Sequence, residues 1–560
     1  MCLPTTDILH LAAGVLGVAT YMLYYHKGEH HLYPWRHVQA VLTLGILTTL
    51  TIKHLDPSRY PSTTTAAQTA TALTLTFLST LFASVLIYRQ FLNPLNRFPG
   101  YPLAKITGFD HVFRVARNKD MFLKLHDSHK KWGKFVRIGP NDISVSDADV
   151  VRVALGPQTK CVKAQWYTLE LPAASMHTTR SRAEHDRRRR VWSPAFSDKA
   201  LRGYEARIKG YNQALIQQIE GFSGTSFPGK PIDISQWFNF WSFDVMGDLA
   251  FGQPFKMLSS AKGHWAVDLL AKQQEGAGFG LPCWSARLLM SIPGARKAYY
   301  TFLRFCAEQI ETRIGLQGKQ TNPDITHYLI DDFLTKGLEG SARQAELKKM
   351  YLDSKLIIVA GSDTTATTMA FLFYYIAREP GLLQRLREEI EDLTGRGEFD
   401  HRKIQSAPLL NGCINEALRL HPPVPSGLYR KAPPEGVYVG GQYIPGDTVM
   451  LVNFYAMGRD ESHFVDADKF IPERFSTRPE LIKHRDAFAP FSTGPYSCIG
   501  KNLALIEIRL LAAHLITKFD VEFAPGEDGS DLLRSHDHFV VALRPLNLTF
   551  KKRGNESLGH

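Results

Sequence analysis

Cysteine is scarce in this chain of 560 residues: Cys2, Cys161, Cys283, Cys306, Cys413 and Cys498 are all there is. No C-x-x-C pair occurs, so neither a disulfide framework nor a zinc site is indicated. Sparse, unpaired cysteines fit a domain in a reducing compartment. Internal repeats are absent as well. The net charge of +12 comes without a helix-turn-helix, zinc-finger or aromatic RNA-binding pattern, and the basic residues are scattered. Nucleic acid is therefore excluded as a partner, and an anionic membrane surface or an acidic protein fits the charge better. No flavin or nicotinamide motif is present, so any redox chemistry must draw its electrons from another protein. No cationic stretch precedes the first apolar segment and no clear small-residue cleavage site follows it, unlike a secretory signal.

Long apolar runs, by contrast, are present at the N-terminus. Ile8–Tyr25 is apolar apart from His10, and Ala66–Tyr88 carries no charge. A helix needs about twenty such residues to cross a bilayer. Val38–Ile52 is apolar but falls short of that length. Residues 1–92 are expected to form a membrane anchor of one to three transmembrane helices, with three favoured. The flanking Lys27, Arg36, Lys53, Arg59, Arg89 and Arg97 do not fix its orientation. Pro94, Pro99 and Pro102 then predict a stiff, extended connection. Residues 93–560 are expected to form one large domain. Phe135–Val145 alternates like paired strands, a helix-rich stretch runs from about 200 to 420, and Pro433–Asn453 returns to strand and turn composition.

The most informative stretch is Phe491-Ser492-Thr493-Gly494-Pro495-Tyr496-Ser497-Cys498-Ile499-Gly500. It places one cysteine in a Gly/Pro-shaped loop directly before a helix-like run from Lys501 to Leu511. Free amides and the dipole at a helix N-terminus favour a thiolate and lower its pKa. Gly494 and Gly500 let backbone approach a flat ligand. A buried structural cysteine is the plainer alternative for a lone residue, but the spacing F-x-x-G-x-x-x-C-x-G resembles the cytochrome P450 superfamily of haem-thiolate monooxygenases. On that resemblance Cys498 is the axial ligand of haem b iron, and Phe491 and Gly500 belong to its loop. Tyr496 departs from the pattern. The family usually has a basic residue there, against a haem propionate, and a phenol brings no charge.

Three further motifs follow in the family's order. Glu416-Ala417-Leu418-Arg419 lies at the end of a helix stopped by Pro422 and Pro423, and Pro472-Glu473-Arg474-Phe475 follows downstream. Taken alone, Glu416 and Arg419 are an ordinary solvated pair on one helix face. The resemblance implies a buried network of Glu416, Arg419 and Arg474. Ala360-Gly361-Ser362-Asp363-Thr364-Thr365 interrupts an apolar helical run from Leu356 to Tyr375. Threonine there can bond the carbonyl of Ala360 and bend the helix, and a Ser/Thr-rich helix face is the bland reading. The resemblance assigns Ala360-Gly361 the room for dioxygen. It gives Thr364 the delivery of protons to the activated oxygen and Asp363 the link of that relay to solvent. His185 and Arg189, within His185-Asp186-Arg187-Arg188-Arg189-Arg190-Val191-Trp192-Ser193-Pro194, match the family's propionate-binding pair, and Arg430 matches another such arginine. The remaining arginines would suit a basic face docking an acidic electron donor.

The expected fold is accordingly mainly α with minor β-sheets, preceded by transmembrane helices. The expected function is oxidation of a lipophilic small molecule, with one atom of dioxygen entering the substrate. Electrons would come from NADPH through a separate NADPH–cytochrome P450 reductase, with cytochrome b5 as a further candidate donor. The wording around Cys498 and the multi-span N-terminus look most like fungal members, many of which tailor secondary metabolites such as terpenoids. The family's usual place is the endoplasmic reticulum membrane, with the catalytic domain facing the cytosol. Two alternatives stand beside this reading: an isomerase or dehydratase of the same fold that works without reductase, and a non-catalytic haem sensor. Candidate pocket walls are Trp166–Met176, the helix near Ala360, Val424–Leu428 and His538–Val540.

Overall fold

The computed structural model describes residues 5–171, 174–223, 229–316, 323–395 and 399–553. Its contacts group the chain into two compact units. The first comprises Met1–Phe113, Val136–Asp142 and Leu281–Arg296. Helices Thr5–Thr20, Pro34–Leu55 and Thr63–Ile87 dominate it, and the first two each pack along the third. Gly17 makes the tightest approach, since a Cβ there would run into Thr80 and the backbone of Phe77. His10, the one polar break in the first apolar run, turns inward and bonds Thr76 Oγ1 at 2.8 Å. The threonines of the third helix do not spoil it. Thr71, Thr74, Thr76 and Thr80 each donate to the carbonyl four residues back, which leaves an apolar exterior that lipid tolerates. Leu11, Val15, Leu42, Ile46 and Leu75 face outward.

The second segment is longer than its apolar stretch foretold. Pro34, suited by its fixed φ to a first helical position, starts the helix early, and it ends at Leu55 after 22 residues. All three helices are apolar and long enough to cross a membrane, which suggests anchoring. The expected extended connection begins with a short 3₁₀ turn, Pro94–Arg97, and is extended at Phe98 and Tyr101. Asn93 caps the turn by accepting from Leu95 N, and a helix Pro102–Ile106 follows.

The second unit holds the remaining residues and is mainly helical. Its axis is the helix Gly340–Arg378, which also has the length and composition of a span, but whose most apolar stretch is two-thirds buried. The stretch from Leu356 to Tyr375, apolar on most sides, belongs inside a large core. The helix packs most extensively on Ile234–Phe251 and also touches Lys297–Gly315, Pro408–Leu420 and Lys501–Lys518. The sheets are small. Strand Leu428–Lys431 lies antiparallel between Val162–Lys163 and Val449–Val452, with Lys163 opposite Arg430 and Arg430 opposite Met450. Val437–Val439 and Gln442–Ile444 form a hairpin turned by Gly440-Gly441, both at positive φ. A second hairpin, His536–His538 with Val540–Ala542, carries Phe539 at its tip with φ +77°.

Candidate active site

Five segments of the second unit supply the residues singled out in the sequence. The first is the cysteine loop. Cys498 N donates to Phe491 O at 2.8 Å and Ser497 N to Gly494 O at 3.1 Å, so the loop closes on itself just before the helix Lys501–Lys518. Gly494 is required there. Its φ is +63°, and a Cβ would meet Leu155 O at 2.5 Å. Gly500 is under no such compulsion from its own backbone, but a Cβ would lie 4.0 Å from Cys498 Sγ and narrow the space beside the sulfur. The thiol differs from the sequence expectation of a lowered pKa. The protein packed around the sulfur pushes it up, although Cys498 itself keeps an exposed surface. The amides of Gly500 and Lys501 and the guanidinium of Arg189 pull the other way, as a helix N-terminus should, without prevailing.

Arg189 comes from the second segment, the helix Arg182–Trp192, and donates to Ser497 O at 2.6 Å and Ser497 Oγ at 3.2 Å. His185 lies one turn earlier and its Nδ1 bonds Asp186 Oδ1 at 2.9 Å. Burial lowers its pKa to about 4. Helical periodicity also corrects one expectation. Arg188 falls on the same inner face, where it donates to Asp353 Oδ1 at 3.0 Å and Glu184 Oε1 at 2.8 Å. Arg187 is tied to Glu184 and Glu346. Of the arginines proposed for a docking face, only Arg190 has an exposed, surface position.

The third segment is strand Leu428–Lys431. Arg430 is buried and donates to Tyr167 OH at 3.1 Å and Tyr429 O at 3.0 Å, while its Nε finds no partner among the described residues. Arg430, His185 and Tyr496 meet: the guanidinium is 5.2 Å from the Tyr496 ring centroid and the imidazole 4.6 Å from it. Lys163 and Arg182 approach the same ring at 4.7 and 5.6 Å. Asp186 is the carboxylate bonded into this cluster among the described residues. Lys163, Arg182, Arg189 and Arg430 therefore outnumber it. Arg182 is exposed and Arg189 half-buried, but Lys163 and Arg430 are buried, and a buried pair of cations calls for an anion. A haem b group, with two propionates above a cysteine sulfur, fits this donor set.

The fourth segment is the middle of the long helix. Thr364 Oγ1 donates to Ala360 O at 2.7 Å, as the sequence anticipated, and Thr365 Oγ1 donates to Gly361 O at 2.9 Å. Asp363 Oδ2 accepts from Gln274 Nε2 at 3.0 Å, and burial raises its pKa to about 6. Gly361 has a use the sequence hid. A Cβ there would lie 2.5 Å from Met246 Cε, so the helix packs closely on Ile234–Phe251 and a larger residue would displace the Met246 side chain. Sequence reasoning also missed Glu507. It is buried, accepts from Thr365 Oγ1 at 3.3 Å, and its Oε1 has no partner among the described residues. Burial raises its pKa to about 8. Its place in an otherwise helical, apolar run gave no sign of this.

The fifth segment joins Glu416, Arg419 and Arg474, none with exposed side chain. Arg419 donates to both Glu416 oxygens at 2.7 and 2.6 Å, and Arg474 Nε donates to Oε1 at 2.8 Å. Carbonyls of Ala467, Lys469, Val465 and Asp466 take the other guanidinium hydrogens.

A family model for cytochrome P450 matches residues 99–551. The chain belongs to the cytochrome P450 family. It is 42% identical to the cytochrome P450 monooxygenase lcsK of Purpureocillium lilacinum, over 98% of this chain and 99% of that protein. It is 40% identical to the tryprostatin B 6-hydroxylase of Aspergillus fumigatus, over 97% and 96% of the two chains. To the cytochrome P450 monooxygenase notG' of Aspergillus versicolor it is 39% identical, over 98% of each. The chain is thus a P450 monooxygenase of the kind found in fungal secondary metabolism. This sets aside the isomerase, dehydratase and sensor alternatives. Membership implies haem-thiolate iron, dioxygen, a redox partner and a lipophilic substrate.

Proposed function

We propose that this P450 hydroxylates a lipophilic secondary metabolite, with Cys498 as the axial thiolate of haem b and NADPH as the ultimate electron source. The observation that carries this reading is the cysteine loop. One sulfur faces the amides of Gly500 and Lys501, beside a cluster of buried cations short of anions. His185, Arg189 and Arg430 would hold the propionates, and the haem iron supplies dioxygen activation when bound. The other steps belong to the protein. Asp363, with a pKa raised to about 6, can carry a proton near neutral pH. Thr364, one residue on, would pass it inward, its hydroxyl swinging from Ala360 O. Glu416, Arg419 and Arg474 would hold the fold on the cysteine side.

Hydroxylation is the reaction named for the tryprostatin B 6-hydroxylases, and we infer the same class here. The terpenoid example has no support in the names of the relatives above. The donor would be NADPH–cytochrome P450 reductase, with cytochrome b5 as a second candidate, and the anchor would sit in the endoplasmic reticulum with the catalytic unit facing the cytosol. Residues 1–92 would be the anchor and 93–560 the catalytic domain.

Microsomes supplied with reductase and NADPH test the reading. Wild type should couple NADPH use to hydroxylated product. Thr364→Ala should consume NADPH while product falls by about tenfold or more, the usual scale for a lost proton-transfer group. Full product yield from that variant would remove the role given to Thr364.

A further inference from the structure

Tyr496 leaves a charge missing where the family usually has a basic residue, and the fold places another cation beside it. Lys163 is 3% exposed and its Nζ lies 4.7 Å from the Tyr496 ring centroid. It donates to His177 O at 2.6 Å and Met176 O at 3.2 Å. An ammonium has three hydrogens, and among the described residues no carboxylate pairs with it. The strand register makes the position stranger still. Lys163 is the direct antiparallel partner of Arg430, so two cations stand opposite one another on a buried sheet. Like charges so placed repel. Burial and the nearby Arg430 hold the Lys163 pKa well below the ordinary lysine value. An anion shared between the two would remove the conflict.

We propose that Lys163 binds a haem propionate, supplying from the strand Val162–Lys163 the positive charge that Tyr496 lacks. This rests on the reading of Cys498 as the haem ligand. Tyr496 is then a positioning residue. Its ring faces hold Lys163 and Arg430 by cation–π contact, and an arginine in its place would crowd them.

The test is a five-member set in the full chain, in haem-supplied microsomes: wild type, Lys163→Met, Lys163→Arg, Tyr496→Arg and the Lys163→Met/Tyr496→Arg double variant. Haem per folded polypeptide, the rate of haem transfer to a haem-free globin, and the haem midpoint potential are the readouts. Lys163→Met should lose haem about tenfold faster, the loss expected for one charge-assisted hydrogen bond. Tyr496→Arg should bring no gain with Lys163 in place and should restore most of the loss in the Lys163→Met background. Lys163→Arg should retain haem like wild type. Should Lys163→Met fail to fold, the double variant decides: a folded, haem-bearing protein supports the proposal, and the same failure overturns it. Unchanged haem loss in Lys163→Met, or an equal effect of Tyr496→Arg with and without Lys163, also overturns it. Failure of the underlying reading looks different, because wild type itself would then lack a thiolate-type haem spectrum.

Discussion

Two buried clusters of charge in this chain are built on opposite plans. Around Glu416 every group is answered: one carboxylate accepts from two arginines, and backbone carbonyls absorb what remains. Around Tyr496 three cations gather, the buried Lys163 and Arg430 and the exposed Arg182, with Asp186 as the carboxylate bonded to Arg182. The first cluster is complete as protein and can only hold structure. The second is incomplete as protein, and incompleteness in a buried, polar place marks a ligand site. The conventional separation of structural from functional charge thus follows here from counting partners. Glu507 makes a third case, a buried acid held by a threonine with no cation beside it among the described residues.

Breaking the complete cluster should have the largest effect. Glu416→Ala leaves two fully buried guanidinium groups facing each other, which typically destabilises by about 3–5 kcal/mol. We expect little folded protein with or without added haem, measured by thermal melting and by protease resistance in membranes. Normal melting would show that the network is dispensable.

Removing a cation from the incomplete cluster should act with opposite signs in the two states. Arg430→Met should speed haem loss by about tenfold. In the haem-free chain it should leave melting unchanged or raise it, because a like charge opposite Lys163 is gone. A comparable loss of stability in both states would show that Arg430 is structural after all.

The smallest effect concerns Glu507. Its pKa is raised from 4.5 to about 8 in the folded protein, burial outweighing the Thr365 hydroxyl. A raised folded value means that its contribution to stability is complete below about pH 4.5 and is lost as pH climbs through 8. Glu507→Gln removes that dependence. Its melting temperature should therefore gain on wild type by about 2 °C between pH 6 and 9, and a difference independent of pH would contradict the assignment.

What could be read from the sequence was local. The turn around Cys498 announces itself through Gly494, Pro495 and Gly500. The Thr364 bond to Ala360 follows from helical spacing, and His185 and Arg189 share a helix face by the same arithmetic. Lys163 could not be read, because Val162-Lys163-Ala164 is an unremarkable strand and its meaning lies in register with Arg430, far along the chain. Arg188 was misplaced for want of knowing which face of its helix turns inward. The packing of Gly361 against Met246 could not be read either, because it depends on which helix lies alongside. The second anchor helix was undercounted because its ends are polar, although Pro34 marks its start.

The most direct measurement is the carbon monoxide difference spectrum of the reduced protein in microsomes, beside Cys498→Ser. The account predicts a thiolate-type Soret band in wild type that is absent from the folded variant. Folded, haem-supplied wild type without that band, or the same band in Cys498→Ser, would contradict it.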